Sequence, residues 1–114
     1  MHIPEILYKV VSEELWMNSQ GKHYLELSDA DQRFIHFSTK EQYPRIAEKF
    51  AAREEHYAIL EINTTELIGD MKLETAPGST EGYFHLYKGR IPMTSMLRIN
   101  VPDDNLSLSS SSFF

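Results

Sequence analysis

The sequence predicts a single α+β domain, and three observations lead there. Strand-like and helix-like segments run strand, helix, strand, helix and then strands only, so strands outnumber helices and gather late. A doubly wound parallel sheet would alternate the two throughout. Tyr43, Ile46, Ala47, Phe50 and Ala51 fall at i, i+3, i+4, i+7 and i+8, one apolar stripe of a helix. Residues 57–62 read YAILEI, with Ala58, Leu60 and Ile62 alternating onto one face as in a half-buried strand.

In chain order, residues 6–11 set Leu7, Lys9 and Val11 on one strand face and Ile6, Tyr8 and Val10 on the other; both faces are largely apolar, so a central strand is expected. Ser12 offers an N-cap, with Glu13 and Glu14 in the first turn where the helix dipole favours anions. The short helix carries Leu15 and Trp16 and should end near Gly21. Residues 22–33 are polar and read as loop. A short strand over 34–37 follows, and Ser38-Thr39-Lys40-Glu41 has the form of a capping box that opens the striped helix. Pro44 is tolerated in that first turn, where its missing N–H is not needed. After residues 57–62, Asn63, Thr64 and Thr65 stop the strand, and 66–68 is expected to form one helical turn. Residues 71–74 predict a short strand, 76–82 (APGSTEG) a loop, 83–87 an aromatic-rich strand entering a turn at Lys88-Gly89, 92–95 a connection and 96–101 the last strand. The domain is expected over residues 1–104, followed by a disordered Ser-rich tail, 105–114.

Composition narrows the function. With 114 residues the chain suits one independent core, and 41% hydrophobic against 25% charged residues argues against wholesale disorder. The absence of cysteine excludes a disulfide scaffold, a thiol nucleophile and a cysteine zinc site, and it suits a reducing cytoplasm. No apolar run approaches the roughly 20 residues of a membrane span. The opening MHIPEILYKVV lacks the pattern of a signal peptide, so a cytoplasmic, membrane-free protein is expected. A net charge of −6 opposes nucleic acid as a partner. Residues 82–102 nevertheless hold Lys88, Arg90 and Arg98 without an acidic residue, a patch suited to a small anionic ligand. Oligomeric state is not legible.

Two segments, FIHFST (34–39) and GYFHLYKG (82–89), concentrate the chemistry. His36 and Ser38 lie on one face of a strand, with Thr39 and an expected helix N-terminus behind them; imidazole, hydroxyls and free N–H groups together suit a phosphate or carboxylate. The competing reading has Ser38 as a cap and His36 as a hydrogen-bonded core residue. His85 lies among Tyr83, Phe84 and Tyr87, where an imidazole can stack on a ring and exchange a proton near neutral pH. Glu74 would orient it if the strands on either side of residues 76–82 pair. These three are the candidate catalytic residues. No P-loop, G-x-S-x-G, G-x-G-x-x-G or H-E-x-x-H pattern occurs, and His23, His36, His56 and His85 lack metal-ligand spacing.

At LYKVVSEELW, FIHFST and YFHLYKG the sequence resembles a bacterial family known as domain of unknown function 952, over about residues 6–101. The resemblance implies that His36, Ser38, Thr39, His85 and Tyr87 hold signature positions and that Glu74 matches the acidic residue ahead of the second motif. The chain departs from the family pattern at Phe37, Phe84, Lys88 and Leu73, where Leu, Pro, Gly and Trp are usual. The family is similar in turn to the ADP-ribosyltransferase-like fold, and this implies two small, mainly antiparallel sheets, two or three helices and a cleft between the sheets. By that analogy alone NAD is a conceivable cofactor, His36 and Ser38 would meet it, and Tyr8 or Lys9 would lie on the first cleft strand. Three functions follow as expectations. The first is binding of an anionic or nucleotide-like small molecule by Tyr8, Lys9, Ser38, Thr39, Tyr87, Lys88 and Arg90 around the histidines. The others are a non-catalytic interaction module, and an NAD-dependent ADP-ribosyl or 2′-phosphotransferase. Whether a reaction is catalysed is left open.

Overall fold

Ser12 ends one element and begins the next: its side chain accepts the Leu15 N–H at 3.1 Å, so strand β1 (Ile6–Ser12) passes directly into helix α1 (Glu13–Ser19). The chain leaves α1 through Gln20 and Gly21, the latter at φ +81°. A 3-10 turn at Asp29–Asp31 precedes β2 (Ile35–Phe37), which is followed by α2 (Tyr43–Ala52), β3 (Tyr57–Asn63), β4 (Ile68–Thr75), β5 (Gly82–Arg90) and β6 (Met96–Asn100). These elements come from a computed structural model that describes residues 2–102. The expected domain end at residue 104 and the Ser-rich segment 105–114 lie outside the described residues. None of the described helices is long and apolar enough to cross a membrane.

The strands form two antiparallel sheets of three, ordered β1-β3-β6 and β2-β5-β4, and two helices complete an α+β architecture. The alternation of YAILEI decides the core, because Ala58, Leu60 and Ile62 are all fully buried. They belong to one cluster with Leu7 and Val11 of β1, Ile35 and Phe37 of β2, and Phe84 and Leu86 of β5. Both middle strands, β3 and β5, thus turn an apolar face to the same core.

Four local expectations are corrected. β1 is an edge strand of its sheet rather than a central one. Both its faces are apolar because Leu7 and Val11 enter the core while Tyr8 stacks on Tyr43 of α2, with ring centroids 4.6 Å apart. Its outer edge meets the second sheet at one bridge, where Tyr8 N–H donates to Ser38 O at 2.7 Å and Ser38 N–H to Tyr8 O at 2.8 Å. The Ser38–Glu41 capping box does not form. The bridge holds Ser38 in extended backbone, and the Thr39 N–H is instead met by Gln42 Oε1 at 3.0 Å, so α2 begins only at Tyr43. The single turn lies at Thr64–Glu66, two residues earlier than expected, and frees Ile68 to start an eight-residue β4. β5 runs through Lys88-Gly89 without turning, to Arg90.

A bulge opposite Ile68 and Asp70 lets it continue. Gly69 adopts φ +128° there, and a Cβ on it would lie 2.6 Å from Gly89 Cα. A Cβ on Gly89 would lie 2.3 Å from Ile68 O, so the two backbones meet at a distance that only paired glycines allow.

Candidate functional site

Strand register positions the site. β2 and β5 pair with His36 directly opposite His85. Ile35, Phe37, Phe84 and Leu86 occupy the core face, so the two histidines share the other face with Tyr83 and Tyr87. β4 places Lys72 opposite His85 and Glu74 opposite Tyr83, and Glu74 therefore reaches His85 diagonally. This face forms part of a cleft of about 650 Å³, whose wall includes Lys9, Phe34, Ser38 and Ala76, with Ile46 and Lys49 contributed by α2.

The imidazoles stand edge to face, with centroids 5.0 Å apart and planes at 71°. Phe34, just ahead of β2, lies tilted against three rings at once: His36 at 4.8 Å, His85 at 4.4 Å and Tyr87 at 5.1 Å. Each histidine is oriented by a carboxylate. His85 Nδ1 is 2.7 Å from Glu74 Oε1, which also accepts the Tyr87 hydroxyl at 2.6 Å. His36 Nδ1 is 2.9 Å from Asp31 Oδ1, which also accepts the His36 backbone N–H at 3.2 Å. The other oxygen, Asp31 Oδ2, is 2.6 Å from Lys9 Nζ, which donates in addition to His36 O at 2.6 Å.

Burial alone would push the Asp31 carboxyl up, but the Lys9 charge and the hydrogen bonds from Lys9 and His36 outweigh it and hold Asp31 below the usual carboxylate range. Burial pulls the Lys9 ammonium below the ordinary lysine value, against the opposing pull of Asp31. Two acceptors at 2.6 Å on Nζ are the geometry of an ionised pair. Hydrogen bonds from Tyr87 and then His85 lower Glu74, and the same Glu74 contact raises the Tyr87 phenol. Two ionised carboxylates accept at Nδ1, so each neutral ring carries its proton there and keeps a basic lone pair on Nε2. The side chain of His36 is 48% exposed and that of His85 15%, so a molecule in the cleft reaches the first more freely.

Of the residues expected here, Lys9, His36, Ser38, Glu74, His85 and Tyr87 line the cleft. Tyr8 stacks on Tyr43 and does not line it, and Thr39 lies in the turn into α2. Lys88 and Arg90 are carried past the cleft, because β5 extends where a turn was expected, and they line a separate hollow. The cleft's own cations are Lys9 and Lys49. The expected helix N-terminus with free N–H groups is missing, since Ser38 and Thr39 N–H are both bonded. Sequence reasoning missed Asp31, Phe34 and Lys49. A signal for Asp31 existed: a lysine between Leu7 and Val11 on a core face requires a carboxylate. Among the described residues no group of three metal-ligating side chains is placed to hold an ion.

The model of the family described as "Protein of unknown function (DUF952)" matches residues 10–99. The crystal structure of protein CC0527 from Caulobacter crescentus is similar at 26% identity, with a TM-score of 0.64 and 86% of each chain covered. A double variant of that protein is similar at 25% identity, with the same TM-score and coverage. No curated protein matches the chain.

Proposed function

The chain belongs to the DUF952 family, and we propose that its cleft binds a small anionic or nucleotide-like molecule contacted by His36 and His85. One observation carries this reading: two imidazoles paired in register line one cleft, and a carboxylate engages Nδ1 of each, which leaves Nε2 as the ring atom available to a ligand. Phe34, Tyr83 and Tyr87 supply faces on which a planar ring stacks, and Lys49 and the Ser38 hydroxyl supply donors for an anionic group. Such imidazoles are also equipped to take up or release a proton.

The interaction-module reading expects both histidines to be buried, and the half-exposed His36 favours a ligand instead. The transferase reading asks for a cleft acid or an arginine pair. Among the described residues no arginine lines the cleft, and the Glu74 carboxylate is already shared by His85 and Tyr87.

Isothermal titration with NAD, ADP-ribose and mononucleotides tests the proposal. Binding to wild type is expected, together with its loss in His36→Ala and His85→Ala; His36→Ala should also melt somewhat lower, because the buried Asp31 carboxylate loses one hydrogen bond. Silence from every compound at millimolar concentration would sink it, as would binding that survives in both histidine variants.

A further inference from the structure

Beside the cleft lies a second hollow of about 430 Å³ whose polar lining includes Arg33, Lys88 and Arg90. Phe34 lines both, and Asp31, which also lines the second, holds His36 and Lys9 on the cleft side. We propose that the ligand of the cleft is a phosphorylated molecule that spans both hollows, with its ring at the histidines and its phosphate chain on Arg33, Lys88 and Arg90. This rests on the cleft reading and adds the substrate class.

Charge balance supports it. Among the described residues, Arg33, Lys88 and Arg90 have no carboxylate within ion-pair distance. The one acid lining the hollow, Asp31, is neutralised by Lys9. In a protein of net charge −6, three cations grouped with no ion-pair partner among the described residues leave a local positive field that suits a polyanion.

Two further features suggest placement rather than chance. The Arg90 guanidinium sits 4.6 Å from the centroid of the Tyr24 ring, which restricts its rotamers before a ligand arrives. Lys88 adopts φ +53°, a backbone state that glycine holds at no steric cost and lysine does not. The chain thus keeps a cation at a position where the backbone favours a glycine.

That strain separates folding from binding in the test. Adenosine, ADP and inorganic pyrophosphate are titrated at about 0.15 M salt, where exposed charges are partly screened. ADP is expected to bind wild type at least about tenfold more tightly than adenosine. Lys88→Gly should weaken ADP by about threefold, the scale of one exposed charge pair, without weakening adenosine and without lowering the melting temperature. The triple variant Arg33→Ala, Lys88→Gly, Arg90→Ala should bind ADP no better than adenosine and lose pyrophosphate, whereas His85→Ala should keep pyrophosphate. Equal affinity of wild type for adenosine and ADP, or a triple variant that still prefers ADP, overturns the inference and leaves the cleft reading standing. If neither adenosine nor ADP binds, the nucleotide form of the cleft reading falls, and this inference with it.

Discussion

His36 is held by Asp31, a carboxylate only 5% exposed whose second oxygen is neutralised by Lys9, whereas His85 is held by Glu74, 38% exposed and, among the described residues, bonded to His85 and Tyr87 alone. The imidazole chemistry is the same and the foundations differ. A carboxylate withdrawn from water needs a cation and further hydrogen bonds to be tolerated, and Asp31 has both. A carboxylate at a cleft rim is partly solvated and needs no cation. Orientation of His36 is therefore tied to the stability of the fold, since Lys9 belongs to β1 and joins the two sheets through Asp31 and His36 O. Orientation of His85 is a local matter between neighbouring strands of one sheet.

The strongest way to break this contrast is Lys9→Met. Asp31 would keep its burial and lose its cation, and chemical denaturation should report a loss of about 3–5 kcal/mol. The double variant Lys9→Met, Asp31→Leu should recover most of that stability while His36 loses its Nδ1 partner. A double variant as unstable as the single one would show that the two residues do not act as a pair.

An acid titration sharpens the comparison at intermediate size. Asp31 titrates below its unfolded value in the folded protein, so its stabilisation is present above about pH 4 and is lost progressively as pH falls through the lowered folded value. Asp31→Asn lacks this contribution throughout, and its stability should decline less steeply than that of wild type between about pH 5 and 2. Glu74 is lowered in the same direction. Being better solvated, it should alter the acid limb less when replaced by Gln; a larger change from Glu74→Gln than from Asp31→Asn would reverse the ranking of the two foundations.

The smallest expected effect on stability is that of Glu74→Ala. Melting should stay close to wild type, yet His85 loses the acceptor that fixes its Nδ1–H tautomer. Long-range ¹H–¹⁵N spectra should change from one tautomer to a mixture for His85 and remain unchanged for His36. Mixed tautomers in wild type would show that Glu74 does not orient the ring.

Much of this was legible in the sequence for identifiable reasons. Ala58, Leu60 and Ile62 alternate without interruption, and period-2 patterning over six residues has few other interpretations. The proximity of Glu74 to His85 followed from one assumption, that the strands on either side of residues 76–82 pair, and they do. Ser12 capped as expected although its backbone also pairs with Tyr57 of β3, because α1 starts at the very next residue. Ser38 has equally good capping chemistry, but it bridges to a strand 30 residues earlier and α2 starts only at Tyr43, and local sequence carries no trace of that contact. Lys88 and Arg90 were misplaced for a related reason. Lys88-Gly89 resembles a turn, and only the glycine at position 69 across the strand pair makes room for β5 to run on.

The meeting of Gly69 and Gly89 also bears on how the protein avoids misassembly. Strand pairs with alternating faces can slip by one residue, and such a slip turns every side chain to the opposite side. On β5 it would send His85 and Tyr87 toward the core and bring Phe84 and Leu86 to water. Two glycines that fit only against each other resist that slip mechanically, because any other register sets a side chain where the backbones now touch. The pair acts as an alignment pin for the hairpin: located beyond the cleft, it fixes where Glu74 of β4 falls against His85 of β5.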